Sequence, residues 1–233
     1  MTQTRLFGHG PEDGTGPTIN TLESFGWCRE HGVDGVELDV RRTIDDQLVV
    51  VHDARIADGR LVAQVERTSM PQFVPELDQV LSACTGMTVN IEIKNFTSDP
   101  CFDPAERITD LVVNLLEARG GNDDVLISCF GLGSIDRVRS RAPALPTGFL
   151  LLSRRPAAEL LDAAVEHGHA IVHPYDTMVD EAFMEAAVAR GLEVNVWFGD
   201  VSRDRLRELV ALGVDGLITS DVKTARAVLD ERG

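Results

Sequence analysis

Positive charge is scarce in this chain: 22 Lys and Arg stand against 38 Asp and Glu, a formal charge of −16 at pH 7. A field of that sign repels nucleic acid and anionic membrane surfaces at long range, so neither polyanion binding nor stable membrane association is expected. Cysteine is thin as well. Cys28, Cys84, Cys101 and Cys129 contain no C-x-x-C pair, which argues against a zinc knuckle or disulfide framework and for buried free thiols. No apolar run approaches the ~18 residues that cross a bilayer, and the opening MTQTRLFGHG has no leader-like apolar stretch. A soluble, cytoplasmic protein is therefore expected. What remains is ordinary globular composition, 43% hydrophobic and 26% charged over 233 residues, enough to bury a sizeable core.

Short runs of Val, Ile and Leu alternate with longer segments of helical period along the whole chain. Strands are predicted near residues 4–9, 35–41, 88–94, 124–130, 147–152, 170–174, 193–198 and 215–219. Helices are predicted near 20–31, 74–84, 104–119, 134–141, 156–167, 179–190, 202–212 and 222–231, several closed by a glycine (Gly32, Gly120, Gly168, Gly191, Gly213). Eight such pairs with no linker or composition shift favour an α/β fold, one (β/α)8 TIM barrel over residues 1–233, above an open doubly wound sheet. The run from Gln47 to Val51 adds a hairpin or extension after the second strand. Residues 54–72 lack a clear period and read as a short excursion loop at the barrel mouth.

In GVELDVRR, Glu37, Asp39 and Arg41 stand at i, i+2 and i+4, so all three leave the second strand on one face. A parallel barrel strand is covered by helices outside, so two carboxylates sharing a face belong inside, where a cation must separate their charges. The third strand, TVNIEIKN, puts Glu92 and Lys94 on one face in the same way. Glu92 would complete an all-oxygen set for one hard divalent cation, Mg2+ or Ca2+; the plainer alternative is a Glu92–Lys94 ion pair. His9 ends the first strand and His52 follows the run LVVV, so both reach the rim where barrel active sites gather. Their imidazoles suit general acid–base work near neutrality, unless they are two unrelated loop residues. His167, His169 and His173 cluster in sequence, yet strand alternation and an intervening helix end point them apart, and no role beyond surface or rim is expected. The glycine-rich GHGPEDGTGP has Asp13 where a dinucleotide fingerprint needs its third glycine, which excludes a nicotinamide site.

These residues together resemble the glycerophosphodiester phosphodiesterase family, metal-dependent barrels that hydrolyse glycerophosphodiesters to glycerol 3-phosphate and an alcohol. The resemblance rests on residues 8–10, NTLESF at 20–25, VDGVELDVRRTIDDQLVVVHD at 33–53, VPELDQVL at 74–81, NIEIK at 90–94, ISCF at 127–130, VNVWF at 194–198 and GVDGLITSD at 213–221. It implies that Glu37, Asp39 and Glu92 are metal ligands, His9 and His52 the acid–base pair, Lys94 a phosphate contact and Trp197 an apolar wall for glycerol. It also implies a small-molecule phosphodiester as substrate. The chain departs from the family in three places. Gly10 replaces an arginine after the first histidine, Ile19 replaces an acid before the N-T pair, and the segment between His52 and Val74 is short, which predicts a more open mouth. Arg41 either supplies the missing phosphate charge or simply partners nearby carboxylates. Gly10 and Ile19 also keep a second reading in view, a catalytically silent barrel that binds a phosphorylated metabolite. A third reading, a lyase with a Schiff base on Lys94, is disfavoured because Glu92 beside it keeps the amine protonated.

Overall fold

The computed structural model describes residues 3–11, 16–152 and 155–231, and all eight expected strand and helix pairs are found there. The strands are β1 (Arg5–Gly8), β2 (Gly35–Arg42), β3 (Leu48–Val50), β4 (Thr88–Ile93), β5 (Val125–Cys129), β6 (Thr147–Leu151), β7 (Ile171–Pro174), β8 (Glu193–Trp197) and β9 (Gly216–Thr219). The helices are α1 (Leu22–Glu30), α2 (Leu77–Ala83), α3 (Arg107–Ala118), α4 (Leu132–Arg141), α5 (Ala157–Glu166), α6 (Glu181–Ala189), α7 (Arg203–Leu212) and α8 (Val222–Asp230). Every strand but β3 is parallel to its neighbours, in the order β1, β2, β4, β5, β6, β7, β8, β9. β9 then pairs back onto β1, Arg5 with Gly216 and Gly8 with Thr219, and the sheet closes. This is the (β/α)8 barrel.

The barrel wall sorts its residues by parity. Leu38, Val40, Ile91, Ile93, Ile127, Cys129 and Leu151 pack with Leu77, Leu81, Val112, Ile135 and Leu161 of the helices in the main core. The alternate positions, Glu37, Asp39, Asn90, Glu92, Ser128, His173 and Asn195, are buried and polar, so the interior of the barrel is where charge collects. Several helix starts are closed by side chains, among them Asp180 accepting from the Phe183 amide at 2.8 Å and Ser202 from the Arg205 amide at 3.1 Å. The five glycines predicted to end helices all have positive φ, from +69° at Gly191 to +83° at Gly213.

β3 is the expected hairpin. It returns antiparallel along β2, with Val50 opposite Val40 and the Val51 amide donating to the Asp39 carbonyl at 2.9 Å, which carries His52 back toward Asp39. The segment after it is an excursion, but a folded one. Two 3-10 turns, Val62–Gln64 and Arg67–Ser69, set Val62, Val65, Met70 and Val74 against Val49 of β3 in a small core of their own. Its apolar residues follow no regular spacing because each meets β3 from a turn, and that is why no period marks it.

All four cysteines are free; Cys28, Cys84 and Cys129 are buried, and Cys101 is only partly so. Burial pushes the Cys84 thiol up to about 11, which leaves it inert. Among the described residues no helix is long and apolar enough to cross a membrane.

Candidate active site

The carboxyl ends of the strands surround a cavity of about 260 Å³ lined by His9, Glu37, Asp39, His52, Glu92 and Lys94 on one side. Phe130, Leu150, Trp197, Phe198 and Ile218 line the other. Strand register assembles the charged half. Asp39 of β2 stands beside Glu92 of β4 as a direct parallel partner, and Gly8 of β1 stands beside Val36, which sets His9 next to Glu37. Carboxylate oxygens of Glu37, Asp39 and Glu92 lie within 4.8 Å of one another, all three residues buried.

Two cations already lean on these acids. Lys94 Nζ is 2.7 Å from Asp39 Oδ1 and 2.7 Å from Glu92 Oε1, while His9 Nδ1 meets Glu37 Oε2 and His9 Nε2 is 3.4 Å from Asp39 Oδ2. Burial alone would lower the pKa of His9, but Glu37 and then Asp39 overcome it and push the ring up to about 10. Burial likewise works against the Lys94 ammonium, yet Glu92 and Asp39 hold it above the ordinary lysine range. A lysine so held is no Schiff-base nucleophile. Asp39 stays ionised despite burial because Lys94 and His9 face it. Glu92 is the acid left over: burial first, then Asp39 and Glu37, raise it to about 8 against the pull of Lys94. Three buried carboxylates that converge with too little positive charge form a donor set suited to a hard, oxygen-seeking divalent ion.

His52 is the open member of the group. Its side chain is 58% exposed at the cavity edge, with Nδ1 3.0 Å from Asp53 Oδ1. Trp197 is fixed by its indole N–H, which donates to the His173 carbonyl at 3.0 Å, and it meets Phe130 edge to face with ring centroids 5.7 Å apart.

Residues 14–224 match the glycerophosphoryl diester phosphodiesterase family. The chain belongs to this family. A glycerophosphodiester phosphodiesterase of Caldanaerobacter subterraneus is 28% identical over 225 residues, covering 88% of this chain and 89% of that protein. Among solved structures, a glycerophosphodiester phosphodiesterase from Parabacteroides distasonis superposes with a TM-score of 0.84 at 19% identity, covering 99% and 98% of the two chains. A phosphodiesterase of Oleispira antarctica, solved with the product sn-glycerol-3-phosphate, gives 0.84 at 19% identity over 98% of this chain and 97% of that one.

Of the residues singled out from the sequence, His9, His52, Glu37, Asp39, Glu92, Lys94 and Trp197 line this one cavity, and Arg41 does not. The Arg41 guanidinium is buried against Asp99, with Nη1 to Oδ1 at 3.0 Å and Nη2 to Oδ2 at 2.9 Å, and its Nε donates to the His52 carbonyl at 2.9 Å. Of the two expectations for Arg41, these contacts favour the carboxylate partner, which here also anchors the backbone of His52. Removing one half of a buried ion pair costs about 3–5 kcal/mol, whereas an exposed pair contributes about 0–1 kcal/mol. Arg41→Ala should therefore lower the unfolding free energy far more than Arg42→Ala, whose partner Asp46 is at the surface. Denaturant titration checks this, and equal losses would contradict it.

The backbone at Gly10 disfavours any side chain. Its φ is +97°, and a Cβ there would lie 3.0 Å from the Ser24 Cβ of α1, so a side chain at this point would be strained and crowded at once. Asp13, the residue that spoils the dinucleotide fingerprint, lies outside the described residues.

Sequence reasoning passed over Asn20. It sits at φ +58° with its amide donating to Asp39 Oδ2 at 2.7 Å and its carbonyl oxygen accepting from the Asp39 amide at 3.2 Å. It also reaches His9 Nε2 at 3.3 Å. The N-T pair of NTLESF was its only signal. Outer partners that orient a ligand typically change metal affinity about 10–100-fold. Asn20→Ala should accordingly shift the Mg2+ activation midpoint upward by that order, and an unmoved midpoint would rule the role out. Asn90 and Ser128, also in the cavity lining, were legible by alternation from Glu92 and Phe130.

Proposed function

We propose that the chain hydrolyses a small glycerophosphodiester to glycerol 3-phosphate and an alcohol, with one divalent cation, Mg2+ or Ca2+, and a histidine pair as general acid and base. The observation that carries this reading is the convergence of three buried carboxylates, two histidines and a protonated lysine on one cavity with an apolar opposite wall. Glu37, Asp39 and Glu92 are the residues that would hold the cation. When bound, it supplies positive charge to offset the negative charge that builds on the phosphoryl oxygens.

The remaining work falls to the chain. Lys94, kept protonated, presents its ammonium where a phosphate oxygen can accept from it. Of His9 and His52, one takes the proton of the attacking hydroxyl or water and the other gives a proton to the departing alkoxide. Trp197, Phe130 and Leu150 lie along the wall that suits the glycerol carbons, and the fixed indole keeps that wall in one orientation. The Oleispira antarctica relative was solved with sn-glycerol-3-phosphate, which supports the choice of product. The test is a coupled assay for glycerol 3-phosphate across several glycerophosphodiesters, with and without added Mg2+ or Ca2+. No turnover on any of them would turn the reading toward a barrel that only binds a phosphorylated metabolite.

A further inference from the structure

The three histidines near β7 part company in the fold. His173 is buried inside the barrel, 3.4 Å from Asn195 Nδ2, where burial, with Arg5 adding to it, keeps its pKa down at about 3. His167 and His169 instead share a focus, contrary to the sequence expectation. They leave the turn between α5 and β7, on the side of the barrel away from the mouth, and both face Asp136 of α4. His167 Nδ1 is 2.8 Å from Asp136 Oδ2 and His169 Nε2 is 3.0 Å from Asp136 Oδ1, one oxygen to each ring. The rings lie nearly parallel, 15° apart with centroids at 6.4 Å. Gly168 between them has φ +77°, and a side chain there would strike Arg139.

We infer that Asp136, His167 and His169 form a second cation site, remote from the mouth and suited to a borderline divalent ion of the zinc class. Three donor atoms converge within 4.8 Å, two of them imidazole nitrogens, which select zinc-like ions over Mg2+ or Ca2+. Zinc bond lengths of about 2.0–2.2 Å place tetrahedral donors roughly 3.3 Å apart. The two nitrogen–oxygen separations, 2.8 and 3.0 Å, need to widen by a few tenths of an ångström, and the two imidazole nitrogens, within 4.8 Å of each other, are brought to the ion by movement of the more exposed ring. The His167 side chain, 41% exposed, is free to yield that much and leaves room for a water as fourth ligand.

Thr147 makes the change in protonation easy. Its hydroxyl is 2.8 Å from His169 Nδ1 and can either donate or accept. The ring proton can thus move from Nε2 to Nδ1 and be given to Thr147, which frees Nε2 for the ion with no net loss of charge. His167 does the same through its exposed Nε2. Burial keeps His169 neutral, with Asp136 pulling the other way and Arg139 the facing positive charge. A hydrogen-bonded outer partner of this kind is how ligating histidines are held in one tautomer. The ion would tie α4 to the α5–β7 turn and act on stability, since the mouth lies at the other end of the strands.

The test uses the full chain stripped of metal, with Mg2+ in excess to occupy the mouth, titrated with Zn2+ alone by calorimetry and followed by thermal unfolding. The wild type should take up one more zinc equivalent than His167→Ala or Asp136→Asn, and Zn2+ should raise its unfolding midpoint but not theirs. Thr147→Val should keep the equivalent with affinity weakened about 10–100-fold. Mg2+-supported turnover should be the same in wild type and His167→Ala. Equal zinc uptake and equal midpoint shifts in wild type and both variants would overturn the inference.

Discussion

His9→Ala and His52→Ala should each remove most of the turnover of a glycerophosphodiester, and the double variant should be little slower than the slower single. An alkoxide is a poor leaving group, so the reaction needs its departing oxygen protonated as well as its nucleophile deprotonated. General acid or base help is typically worth ~10²–10⁴ in rate, and residues that act in one proton cycle lose their effects together, not additively. A loss below about tenfold in either single variant would be too small for the role. The surroundings of the two rings differ: His9 is enclosed against Glu37 and Asp39, whereas His52 stands open at the rim beside Asp53. A p-nitrophenyl phosphodiester separates their duties, because its phenolate leaves without much protonation. The variant that lacks the acid should recover relative to wild type on that substrate, and the variant that lacks the base should not. If both respond alike, the division of labour is wrong.

Chelation of divalent ions should abolish hydrolysis, and Asp39→Asn should weaken metal activation strongly while leaving the barrel folded. The reason is electrostatic. Asp39, Glu37 and Glu92 are buried together, and Lys94 with His9 does not balance them, as the raised pKa of Glu92, about 8, records. Lys94 and Asn20 donate to different oxygens of Asp39, so an asparagine of the same size keeps one of these two hydrogen bonds through its amide oxygen while one anionic donor is lost. Calcium or magnesium titration of activity, with circular dichroism as the control for folding, measures both halves of the claim. Full turnover in chelator would take the metal out of the reaction.

Much of this was legible in the chain itself because it is local. Strand parity is a property of the extended backbone, so Glu37 and Asp39, and separately Glu92 and Lys94, had to share faces wherever their strands lay. Eight repeats of strand and helix implied the barrel, and the run after Arg42 implied the hairpin that returns His52. What parity could not supply was registration between strands. Only barrel closure sets Asp39 beside Glu92 and His9 beside Glu37, and only it decides that those faces converge on one cavity. Arg41 shows the limit most plainly. Its face was right, but at the strand end a long side chain follows its partner, and that partner, Asp99, lies 58 residues away. Asp136 meets His167 and His169 across 31 and 33 residues in the same manner. Periodicity speaks for neighbours a few residues apart, whereas contacts between distant segments exist only once helices and strands have packed, and there the tertiary structure alone decides.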